Sequence, residues 1–170
     1  MALIVEDGSG VANANSYETL VGIRAYALSR GVTLSADDSV VEAQAHKAMD
    51  FLEAQRGRYQ GDKADPAQAL QFPRTGVKVD CVEIAADAIP VVLVQAQCRL
   101  IMEQHAGVEL TPTRTEGFII EDTTGPLTTK YSDKHGGGPG NTPIMPAVEA
   151  LLSPLYSACG QGLGLRVVRV

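Results

Sequence analysis

Ile89-Pro90-Val91-Val92-Leu93-Val94-Gln95-Ala96-Gln97-Cys98-Arg99-Leu100-Ile101-Met102-Glu103-Gln104-His105-Ala106-Gly107 is the stretch on which the fold turns. Pro90 suits the first turn of a helix, where its missing N–H leaves no bond unmade. Val91, Val94, Cys98, Ile101 and Met102 recur at helical spacing, Val92 and Leu93 widen the stripe, and Gly107 closes the segment. A helix over roughly 90–106, the most apolar in the chain, is therefore expected at the centre of a bundle.

Upstream, Ser35 and Asp37-Asp38 place acids at the positive end of a second helix, roughly 36–56. Its buried face is expected to be Val41, Ala45, Ala48, Met49 and Leu52. Before that, Asn15-Ser16 reads as an N-cap for a helix over 17–29, with Tyr17, Leu20, Val21 and Leu28 on one stripe and Gly31 ending it. Leu3-Ile4-Val5 reads as a short strand or extended arm. Residues 57–88 read as a long, mostly irregular connection, in which Pro73 pushes Phe72 toward extended backbone and Thr75-Gly76 turns the chain.

Downstream of Pro112 the pattern changes. Thr, Ile, Phe and Tyr over 113–122 and 127–132, with Thr124-Gly125-Pro126 between them, predict a β-hairpin at about 113–133. Phe118-Ile119-Ile120 breaks strict alternation, so one of the three must face away from its own core. A lone hairpin is marginal in water, which makes Phe118, Ile119, Ile120, Leu127 and Tyr131 candidate subunit-interface residues. His135 to Pro143 reads as a glycine-rich linker, and a last helix, about 146–157, carries Val148, Leu151, Leu152 and Leu155. The expected architecture is mainly α: a small bundle of about four helices with an inserted hairpin and extended termini. Residues 1–160 form one domain and 161–170 a docking tail. In that tail Leu163, Leu165, Arg166, Val167, Val168 and Val170 are the candidate partner-binding residues, because an apolar, β-prone end is costly to leave in water.

The balance of 14 Lys and Arg against 20 Asp and Glu gives a net charge of −6 with no basic block, which weighs against tight nucleic-acid binding by one subunit. Three cysteines without a C-x-x-C read as reduced thiols of a protein made in the cytoplasm, with no signal peptide and no membrane-spanning run. His135-Gly136-Gly137-Gly138 lacks the G-x-S-x-G partner an esterase needs, and the glycine-rich run to Thr142 lacks the P-loop lysine. The three histidines are far apart with no H-E-x-x-H. The chain reads as a non-enzyme with no cofactor and no metal site.

Two strings occur in order: Val11-Ala12-Asn13-Ala14-Asn15-Ser16-Tyr17, and Gln68-x-Leu70-x-Phe72-Pro73-Arg74-x-Gly76. With the Ile89-Pro90 helix start, they resemble a family of tailed-phage proteins encoded among head and neck genes, often labelled DnaT-like single-stranded-DNA-binding proteins. The architecture is similar to head–tail adaptors, or head-completion proteins, over roughly residues 4–157. The resemblance implies a structural virion protein. Its copies would form a homo-oligomeric ring, usually dodecameric, beneath the portal protein and above a stopper or tail-terminator protein. The ring extends a channel through which genomic DNA passes without specific binding. The implied location is the virion neck, after synthesis in the host cytoplasm. Asn15, Ser16 and Tyr17 carry over as helix-start structure, and Phe72, Pro73, Arg74 and Gly76 as a structured loop. Arg74 is the further candidate for a subunit contact, its other reading being a cap or ion pair within one subunit. The alternative function is single-stranded nucleic-acid binding, through Tyr26, Tyr59, Phe72 and Tyr131 with Arg56, Arg58 and Arg74 as stacking and charged groups.

Overall fold

The computed structural model of the protein describes residues 2–110, 121–124, 127–130 and 145–157. Its helices are α1 (Leu20–Leu28), α2 (Asp38–Ala54), α3 (Val91–His105) and α4 (Pro146–Tyr156). Between α2 and α3 lie four two-residue strands: β1 (Asp62–Lys63), β2 (Arg74–Thr75), β3 (Lys78–Val79) and β4 (Val82–Glu83). A third strand pair, β5 (Glu121–Thr124) and β6 (Leu127–Lys130), follows α3. All three pairs are antiparallel. The fold is a mainly helical bundle with small strand pairs.

The central position of α3 follows from its sequence. Leu93, Ala96, Leu100 and Ile101 are fully buried, and α3 packs against α1, α2 and α4. The periodic face of α2 is also buried, with Val41, Ala45, Ala48, Met49 and Leu52 all in the core and Phe51 added. Asp37 caps α2, its carboxylate accepting the Ser39 hydroxyl at 2.8 Å and the Ser39 N–H at 2.9 Å, which hold that carboxyl below the usual range. Val148, Leu152 and Leu155 bury α4, while Leu151 is half-buried.

Helix α1 departs from expectation in start and phase. It is capped by Thr19, whose Oγ1 accepts the Gly22 N–H at 3.0 Å, and not by Asn15-Ser16. Tyr17 thus precedes the helix, and a stripe started from it takes the wrong phase. Ile23 and Ala27 face the core, whereas Val21 and Leu28 are 77% and 66% exposed. The segment is apolar on nearly every side, so periodicity alone allowed two solutions.

The β3–β4 hairpin turns through Asp80 and Cys81, both at positive φ (50° and 70°), the pattern of a two-residue type I′ turn. Cys81 is disulfide-bonded, which corrects the expectation of three reduced thiols. Cys98 is free and 2% exposed, and burial pushes its thiol up to about 12, as expected for a packed thiol. Among the described residues no helix is long and apolar enough to cross a membrane.

Candidate functional site

The two sequence strings meet in space. The N-terminal arm runs beside the 15–16 segment: Ile4 N–H donates to Asn15 Oδ1, Asn15 N–H to Ile4 O, and Glu6 N–H to Ser16 O, at 2.8–2.9 Å. Asn13 takes a left-handed conformation (φ 58°), which Asn tolerates better than most residues. Glu6 is buried. Its Oε1 accepts the Gly8 and Gly10 N–H groups, both at 2.9 Å, so the loop wraps its own carboxylate.

Ser16 and Tyr17 then lock onto α3 and α2. Gln97, fully buried, donates from Nε2 to Ser16 Oγ at 2.7 Å and accepts the Tyr17 N–H on Oε1 at 2.9 Å. The Tyr17 hydroxyl donates to Glu53 Oε1 at 3.2 Å and accepts the Phe72 N–H at 3.1 Å. Glu53 Oε1 also accepts the Gln71 N–H at 3.0 Å. A single phenol therefore joins the first string to the second. Burial, reinforced by the Glu53 charge, raises the Tyr17 pKa well above the usual phenol value, so the hydroxyl stays a donor.

The second string is a closed knot. Phe72 is fully buried before a cis Phe72–Pro73 bond, edge-on to the Tyr59 ring at 5.2 Å between centroids. Gln68 donates from Nε2 to Leu70 O and Pro73 O, and accepts the Asp65 N–H on Oε1. Arg74 is 7% exposed and donates to three acceptors of its own chain: Gln60 O at 2.7 Å, Gln71 Oε1 at 3.1 Å, and Gly61 O. Arg74 is thus an internal tie, which matches the within-subunit reading of the two given above. Where the two strings border solvent they leave a shallow cleft of about 380 Å³, whose one ionisable lining residue is Asp65. The Asp65 carboxylate already accepts the Ala67 N–H at 2.8 Å.

From Gln60 the network reaches α4. Gln60 N–H donates to Leu155 O at 2.9 Å, and its Nε2 donates to Pro154 O and Ser157 O at 2.7 and 2.9 Å, so one residue satisfies the carbonyls at the end of α4. Arg58 grips Glu149 with both terminal nitrogens, at 2.9 and 2.8 Å, and lies 3.9 Å from the centre of the Tyr156 ring. Sequence reasoning missed Gln97, Glu53 and Gln60. Gln97 had a visible signal, a polar side chain within the apolar stripe of α3; Gln60 had none.

Glu53 supplies a test of this network. Its carboxyl is raised above the usual glutamate value, chiefly by burial and against the pull of its hydrogen bonds. The folded state then holds the proton more tightly than the unfolded one, so the stability linked to Glu53 is fully present at low pH and is lost as pH rises through the folded pKa. Glu53→Gln keeps an oxygen for Tyr17 and Gln71 but removes the charge. Urea midpoints measured between about pH 4 and pH 7 are expected to fall less steeply for the variant than for the parent. Parallel profiles would remove Glu53 as the source.

The remaining sequence candidates divide by position. Phe118, Ile119, Ile120 and Tyr131 lie outside the described residues, as do Leu163, Leu165, Arg166, Val167, Val168 and Val170; Leu127 opens β6 and only its backbone is described. Among the described groups proposed for stacking, Phe72 and Tyr59 are in the core. His105 is exposed and His46 half-buried, and no cluster of metal-ligating side chains occurs among the described residues.

The profile of the family described as "Putative DnaT-like ssDNA binding protein" matches residues 1–170. The chain belongs to this family. No curated protein and no solved structure matches it. Among the described residues of this DnaT-like chain, two half-buried tyrosine rings are already covered by cations: the Arg30 guanidinium lies 3.4 Å from the centre of the Tyr26 ring, as Arg58 lies over Tyr156. The residues that carry the DnaT-like strings are bonded to one another and bury a scaffold.

Proposed function

We propose that this DnaT-like chain is a structural virion protein of a tailed phage, not an enzyme. Its copies assemble as a ring, a dodecamer in the virion neck, that joins the portal protein to a stopper or tail-terminator protein and extends the channel for genomic DNA. The observation that carries the reading is the internal lock: Tyr17, Gln97, Glu53, Phe72 and Arg74 are all satisfied within one subunit, so the family-bearing residues build a rigid body whose activity resides in its outer surfaces. The net charge of −6 supports it as well, because an acidic wall repels a passing polyanion and lets it slide. Purified particles probed by mass spectrometry and cryo-imaging are expected to contain the chain in many copies at the neck. Particles that lack it would end this reading.

The family description favours a second reading, single-stranded DNA binding. The guanidinium planes of Arg30 and Arg58 over Tyr26 and Tyr156 are then the surfaces on which bases would stack. Fluorescence anisotropy with a labelled oligothymidylate at low salt separates the two. Micromolar binding that weakens steeply with salt selects the second reading; no binding at about 100 µM protein selects the first.

A further inference from the structure

We infer that the outer face of α1 packs against the β3–β4 hairpin of a second copy of this chain. The inference names the contact behind the multi-copy reading above and rests on it. It begins with the two-sidedness of α1. At 100° per residue, Ile23 and Ala27 point into the core while Val21, Ala25 and Leu28 point the opposite way, exposed. A helix that is apolar on both sides is built to be covered on both. Among the described elements α1 touches only α2 and α3, which cover one side.

A single exposed apolar side chain lies elsewhere. Val82 is 68% exposed on the β3–β4 hairpin, which packs on α4 through β3 and does not touch α1. Among the described elements the α1 face and Val82 are therefore not brought together within one subunit. A neighbour can bring them together. A contact between two different surfaces is heterologous, the kind that makes a ring when its rotation closes.

Charge at the rims is complementary. Arg30 is exposed at the C-terminal end of α1, stacked on Tyr26, and forms no ion pair among the described residues. The hairpin carries exposed Asp80 and Glu83 against Lys78. Docking Val82 onto the Val21–Leu28 stripe sets these acids beside Arg30, which fixes orientation more than it adds affinity. A nine-residue helix facing a two-stranded hairpin covers well under the ~800 Å² per partner of a stable complex, so a single contact is weak and closure of many supplies the strength.

Sedimentation of the full chain from about 5 µM to about 500 µM tests it. Mass-action self-association is expected for the parent. Val21→Glu with Leu28→Glu on one side, and Val82→Glu alone on the other, should each hold the chain monomeric, with unchanged melting because all three sites face solvent. Arg30→Glu should weaken association about tenfold, and adding Glu83→Arg to the same chain should restore it. Two results overturn the contact: a parent that stays monomeric throughout, or a Val82→Glu variant that associates like the parent. Association with this mutational pattern in a protein absent from virions keeps the contact and removes only the neck assignment.

Discussion

Arg74→Ala is expected to lower the stability of the folded chain by about 3–5 kcal/mol, the range for removing one member of a buried, charge-assisted network. Three acceptors lose their donor at once: Gln60 O, Gly61 O and Gln71 Oε1. Two of them are backbone carbonyls flanking the β1–β2 pair, in which Arg74 itself pairs with Lys63. The effect should also travel. Gln60 is held by Arg74 on its carbonyl and in turn caps α4, so loosening the 60–61 segment removes the seat for that helix. Hydrogen exchange of the variant should therefore show faster opening in α4 than in α2, whose contacts do not pass through Gln60. Arg74→Lys keeps the charge but not the planar fork, and should recover less than half of the loss. A urea midpoint within about 1 kcal/mol of the parent would show that the carbonyls find other partners.

Gln97→Ala should cost about 3 kcal/mol, combining a cavity in the central helix with a buried, unpartnered Tyr17 N–H. Gln97→Met separates the two causes. Methionine refills the volume and can neither accept from Tyr17 nor donate to Ser16 Oγ, so it should recover the packing share only. Thermal melts of both variants, with near-ultraviolet circular dichroism to follow the tyrosines, decide the matter. Full recovery by methionine would mean that the polar lock orients the arm without stabilising it.

These expectations also mark what was readable in advance. The α2 face was legible because Val41, Ala45, Ala48, Met49 and Leu52 lie at one phase with polar residues opposite, leaving a single solution. On α1 the same method failed, because the outward Val21 and Leu28 match the pattern as well as the inward Ile23 and Ala27. The cap at Asn15-Ser16 was misplaced for a different reason. Local chemistry makes Ser16 a good cap, yet its hydroxyl meets Gln97, a partner 81 residues away that no local rule sees. Arg74 was recognised as a fixed residue on a tight loop, but which carbonyls it would reach depended on how 60–61 returns past the loop. The stacking candidates suffered likewise: a sequence shows Tyr59 and Phe72 as aromatic, and only packing shows them edge-on in the core.

The way α4 is finished sets an order of events at the ribosome. Its closing carbonyls are satisfied by Gln60, made long before them, and its interior holds Pro154, a residue that weakens a free helix. An eleven-residue segment of that kind is unstable by itself in water. During translation the first three helices and the Arg74–Gln60 tie are therefore expected to form first, with α4 folding onto them; pulsed hydrogen exchange that protects α4 before α2 would reverse that order. The helix is thus expected to fill a berth that the first three helices have already prepared.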